Sequence, residues 1–110
     1  MRIVTSVFLA AFATASVAQT ALPIPSDAKA KYFVLERGGS KGMPTLTTKR
    51  VGSSGTSYSQ RVFDCSTSQV KYLGTGDSLE EMKNSKPDPN MGPLIKGSIS
   101  WYQWQHACVK

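Results

Sequence analysis

The chain has 110 residues, 40% of them hydrophobic, and a formal charge of +6 from 13 Lys plus Arg against 7 Asp plus Glu. That length supports one small domain at most, and the apolar content is too high for a chain disordered by composition. A single histidine and two cysteines leave little material for a metal centre or a catalytic constellation.

Met1 and Arg2 give a short positive start, and residues 3–13 are apolar or small. The pattern predicts a secretory signal peptide, residues 1–18, cleaved after Ala18 so that Gln19 becomes the first mature residue. Ser16 and Ala18 supply the small side chains a signal peptidase requires, with Ala15 as the alternative site. A buried N-terminal helix is the competing reading of this stretch. No cysteine follows the cleavage site to carry a lipid anchor, and no run of roughly 20 apolar residues remains to form a membrane span. The mature protein is therefore expected to be exported, to the periplasm or the extracellular space. Removing 18 of the 110 residues leaves 92, and since Arg2 is the only charge lost, the balance becomes +5.

Export sets the redox state. In an oxidising compartment the two cysteines are most simply one disulfide, Cys65 with Cys108, because a single pair allows one connectivity. Closing a loop of about 44 residues is worth roughly 4 kcal/mol in the chain-entropy picture, a large contribution for a domain of this size. A reactive thiol pair is the alternative. It lacks the Cys-x-x-Cys spacing and a basic neighbourhood that would lower a thiol pKa.

Along the mature chain, residues 19–30 carry Pro23 and Pro25 and read as an extended lead-in, with order starting at about Lys31. Residues 31–37 contain Tyr32, Phe33, Val34 and Leu35 and end at Gly38 and Gly39, which predicts a strand buried on both faces. Residues 45–51, with three threonines between Pro44 and the glycines at 52 and 55, predict a second strand. Residues 57–65 and 69–73 predict a hairpin around residues 66–68, with Tyr58, Val62, Phe63, Val70, Tyr72 and Leu73 as packing residues. Ser78 followed three residues later by Glu81 is a capping box, so a short helix is expected over residues 79–84. Pro87 and Pro89 stop it and leave a loop over residues 83–93. Within that loop Lys86, Asp88, Asn90 and Met91 form a candidate contact surface, since loops on a rigid scaffold carry sites.

Residues 98–110 predict a C-terminal helix capped by Ser98, with Ile99, Tyr102 and His106 on one stripe and Trp101, Trp104, Gln105 and Cys108 on its neighbour. Packed on the sheet, this helix would bring Cys108 to Cys65, and both tryptophans would serve as packing residues. The fold class that follows is α+β: a small antiparallel β-sheet packed against a C-terminal helix, with one disulfide, spanning residues 31–110.

The run Phe63-Asp64-Cys65, the strand with Tyr72 and Leu73, the proline-rich connection, and Gly97-Ser98-Ile99 leading to Ala107-Cys108 resemble the bacterial surface-adhesin protein E family over residues 32–108. The resemblance implies an antiparallel sheet packed on a C-terminal helix and joined to it by a disulfide, with binding of host matrix components in the named adhesin.

Enzyme classes find no support in the residues. His106 is the single imidazole and sits on an aromatic helix. Glu80 and Glu81 are adjacent on a helix and point apart, so they do not form an acid–base dyad. Asp64 stands alone beside a strand cysteine. Gly74-Thr75-Gly76 lacks the further glycines and the lysine of a phosphate cradle and reads as a turn. No cofactor or metal is expected. The cations are dispersed, with Lys49-Arg50 the one adjacent pair in the body of the chain, which argues against a nucleic-acid groove. A basic exterior favours salt-sensitive contact with a protein or an anionic polymer of the envelope or host. The expected function is thus a small non-enzymatic envelope protein, a binding or adhesion-like module. The alternative is a secreted inhibitor or accessory protein docking on an enzyme or secretion assembly.

Overall fold

The computed structural model describes residues 19–109. Residues 1–18 and Lys110 lie outside the described residues, and with them the signal-peptide reading up to Ala18. Six strands form one antiparallel sheet in sequence order: β1 (Thr20–Ala21), β2 (Lys31–Gly39), β3 (Pro44–Gly52), β4 (Gly55–Asp64), β5 (Gln69–Gly76) and β6 (Gly92–Pro93). Helix α1 (Leu79–Asn84) lies between β5 and β6, and α2 (Ile99–Cys108) closes the chain. The α+β class, the antiparallel sheet and the C-terminal helix agree with expectation.

Strand alternation divides the side chains between two faces. On the face under α2, Val34, Leu46, Phe63 and Ala107 form the core, with Leu22, Val70, Trp104 and Cys108 packed against it. Glycine makes the β2–β3 connection possible: Gly39 takes φ +73, a left-handed conformation, and a Cβ there would collide with the Met43 carbonyl. The β3–β4 connection is a two-residue hairpin loop between Gly52 and Gly55, which pair across it. Between β4 and β5, Asp64 Oδ1 accepts from the Ser66 N–H and hydroxyl and from the Thr67 N–H. Those bonds, the Ser66 hydroxyl first, hold the Asp64 carboxyl below its usual range, and the group is a turn organiser rather than a free acid.

The disulfide joins Cys65, just past β4, to Cys108 at the end of α2, with 5.6 Å between the Cα atoms. Nearby, Arg37 Nη2 donates to the Ala107 carbonyl, so a β2 cation caps the last turn of α2. Ser98 Oγ accepts from the Trp101 N–H at the opposite end, and Ser78 Oγ from the Glu81 N–H in α1. Glu81 reaches back to the Asp77 N–H, one residue before the cap, in a shifted version of the expected capping box.

Three sequence expectations need correction. The lead-in over residues 19–30 is not merely extended: β1 pairs with Phe33 and Val34, Pro25–Asp27 forms a 3-10 turn, and Ile24 is buried. Its anchor is Asp27, which accepts from the Tyr32 hydroxyl at 2.6 Å and from Arg50 Nε at 2.9 Å. Gly74-Thr75-Gly76 is not a turn but the end of β5. On α2, the buried side chains are neither predicted stripe but Gln103 and Ala107, one helical turn apart.

Candidate functional site

Beneath α2 the sheet contributes a buried cation. Arg61, only 4% exposed, donates through Nε to Ser100 Oγ, through Nη1 to Gln103 Oε1 at 2.9 Å, and through Nη2 to the Tyr72 hydroxyl. Its guanidinium also lies 4.3 Å from the Tyr72 ring centre. Every one of these partners is neutral, and burial pulls the Arg61 pKa below the ordinary guanidinium value, with Tyr72 acting in the opposite sense. Gln103, with no exposed surface, completes the network by donating to Thr48 Oγ1. All three guanidinium nitrogens donate to neutral oxygen acceptors, two of them on α2, so the group's chemistry is to lock helix to sheet.

The opposite face is only half covered. Gly74 and Gly76 lie two residues apart on β5 and so share one face, and α1 rests on both. A Cβ on Gly74 would strike the Met82 carbonyl, and one on Gly76 would meet Glu81 and the Met82 amide. The glycines therefore form a smooth strip that admits helix backbone. Beyond α1 the floor is made by two cross-strand rows, Glu36–Thr47–Gln60 and Phe33–Lys49–Tyr58. At the far side a register shift between Val34 and Glu36 leaves Leu35 as an extra residue on β2.

The result is a cleft of about 270 Å³ between α1 and the bulged edge of β2, with Gln19 at its rim. Leu35, Tyr58, Leu79 and Met82 give it apolar walls, while Lys49 rises from the floor and Lys83 from α1. Met82 is buried and anchors α1, whereas Leu79 keeps 40% of its surface in solvent. The adjacent cations Lys49 and Arg50 are split by alternation: Arg50 goes to Asp27 on the α2 face, and Lys49 to the cleft. Among the described residues, the ion pair present is Arg50–Asp27, and neither cleft lysine joins one.

The loop predicted as a contact surface follows α1 and runs along the outer edge of β5, and of its residues only Lys83 lines the cleft. Lys86, Asp88 and Asn90 are exposed and Met91 is half-buried. Its backbone is tied to the sheet edge: the Asp88 N–H donates to the Tyr72 carbonyl, Gly92 and Pro93 pair with Val70 and Gln69 as β6, and the Leu94 N–H donates to the Ser68 carbonyl. With Ser85 Oγ accepting from the Thr75 N–H, these contacts occupy the outer edge of β5 and blunt it against further strand pairing.

His106 lies half-buried on α2, lining shallow concavities shared with Leu22 and Tyr102 and with Glu36 and Arg37. Trp101 packs edge-on to Tyr102, and Trp104 joins the core with its Nε1 buried and without a hydrogen-bond partner among the described residues. Among the described residues there is no group of His, Cys, Asp and Glu side chains that could hold a metal ion, and no helix is long and apolar enough to cross a membrane. Sequence reasoning missed the cleft residues Leu35, Lys49, Leu79 and Lys83. The available signal was the pair of glycines two apart in a strand immediately before a capped helix. Comparison with protein-family models, with curated proteins and with solved structures returned no match to this chain.

Proposed function

We propose that the chain is an exported, non-enzymatic envelope protein that works as a binding or adhesion-like module through the half-covered face of its sheet. The observation that carries this reading is the cleft of about 270 Å³, lined by partly exposed apolar side chains and two lysines without ion-pair partners among the described residues. Open concave sites with an apolar lining and a few polar anchors are where small domains take ligands. The proposal that the chain is related to the surface-adhesin protein E family fits the same use, and that relationship is likewise an inference, from Phe63-Asp64-Cys65 and Ala107-Cys108.

Two experiments test it. Expression with residues 1–18 in place, followed by fractionation and N-terminal sequencing, should recover an exported protein starting at Gln19. Immobilised protein should then retain a component of envelope extracts at low salt and release it at high salt, as cationic contact requires. Retention of nothing at either salt overturns the binding reading, and retention in the cytoplasm overturns export.

A further inference from the structure

We propose that the cleft between α1 and β2 takes a small anionic amphiphile, a free monocarboxylate of about ten non-hydrogen atoms in all, most of them in an apolar body. The inference rests on the half-covered face being the contact surface and names the ligand class it admits.

Size comes first. At about 270 Å³ the cleft is at the small end of ligand sites, which suits a medium-chain or aryl carboxylate rather than a two-tailed lipid. The width agrees. The floor spans β3 and β4 between walls on β2 and β5, roughly 14 Å apart at the usual strand spacing.

Chemistry comes second. Leu35, Tyr58 and Leu79 offer apolar surface beside the buried Met82, and Leu79 is left 40% exposed by the folded chain itself. Covering it with an apolar body removes that surface from water. Lys49 and Lys83 approach from the floor and from α1, and they outnumber the one carboxylate in the lining, Glu36 on the β2 wall. A net positive lining beside apolar walls selects a ligand that is anionic at one end and apolar at the other. Glu36 makes the charge argument directional: it disfavours the anion, while each lysine favours it.

The test is an NMR titration of the oxidised, exported protein with octanoate, beside octanol as the same tail without charge and acetate as the charge without a tail. Octanoate is expected to shift the amides of Thr47, Lys49, Tyr58 and Gln60 and those of α1, with a sub-millimolar dissociation constant, the scale a ligand of this size reaches. Octanol is expected to bind about tenfold more weakly at the same residues, and acetate not to bind. Lys49→Gln and Lys83→Gln should each weaken octanoate about threefold to tenfold and leave octanol unchanged, whereas Glu36→Gln should tighten octanoate. Equal binding of octanoate and octanol, shifts mapped elsewhere, or no binding at all would overturn the proposal. So would displacement of octanoate by vesicles of anionic phospholipid, or the same shifts on raising protein concentration alone, which would make the occupant a membrane or a second copy. Failure here leaves the envelope-extract result standing on its own, so the two readings fall separately.

Discussion

Replacing Gln103 by leucine should expose how α2 is held to the sheet. The substitution puts an apolar side chain of similar size at a site with no exposed surface, and it removes the carbonyl oxygen that accepts from Arg61 Nη1 at 2.9 Å. A buried bond to a charged donor is worth roughly 1.5–3 kcal/mol, and Arg61 is 4% exposed, so water cannot replace the lost acceptor. Arg61→Met alone should cost about 1–3 kcal/mol, because it strands the Gln103 amide and the Tyr72 and Ser100 hydroxyls. With both changed, a hydrogen-bonded pair becomes an apolar pair, a replacement that is often nearly neutral. The double variant should therefore be more stable than the two single effects predict, by roughly 2 kcal/mol. Urea unfolding of the oxidised proteins measures it, and in a domain of this size each single change should lower the melting temperature by about 10 °C. Additivity within about 0.5 kcal/mol would refute the reasoning, since it would mean that the guanidinium finds its acceptors elsewhere.

Breaking the Cys65–Cys108 bond, by reduction or by Cys65→Ser with Cys108→Ser, should cost about 2–4 kcal/mol, given a separation of 43 residues, and an unchanged unfolding midpoint would contradict this. Gly76→Ala should destabilise by about 1–3 kcal/mol and abolish octanoate binding, because a Cβ there meets Glu81 and the Met82 amide; Gly42→Ala, where a Cβ meets nothing within 4 Å, is the control. Burial, and then donation to Asp27, push the Tyr32 phenol from an ordinary 10.0 up to about 12. The folded state thus keeps a proton that the unfolded chain releases, so this contribution is whole below pH 10 and is lost as pH rises towards 12. Tyr32→Phe should flatten that decline in unfolding experiments across the same range, and an identical pH profile for both proteins would refute it.

Local chemistry made much of the fold readable in advance. β-Branched and aromatic runs punctuated by Gly38, Gly39, Gly52 and Gly55 mark strands and turns, because these preferences act within a few residues. Ser78 and Ser98 mark helix starts for the same reason: a hydroxyl satisfies an amide three residues on. The lead-in was harder to read, since β1 forms by pairing with Phe33 and Val34 and the 3-10 turn is anchored by Arg50, 23 residues beyond Asp27. The buried face of α2 was hidden by the polarity of Gln103, whose burial is tolerable only because Arg61 and Thr48 meet it there.

The sequence by itself thus determined the strand and helix order and, through its two cysteines, the pairing of the staple, because propensity, capping and a single possible connectivity need no knowledge of neighbours. Tertiary structure alone decided which face α2 covers and where the other face stays open. The bulge that leaves Leu35 unpaired and the seating of α1 on Gly74 and Gly76 arise only when four strands align, and their alignment brings Lys49 and Lys83 to one cleft.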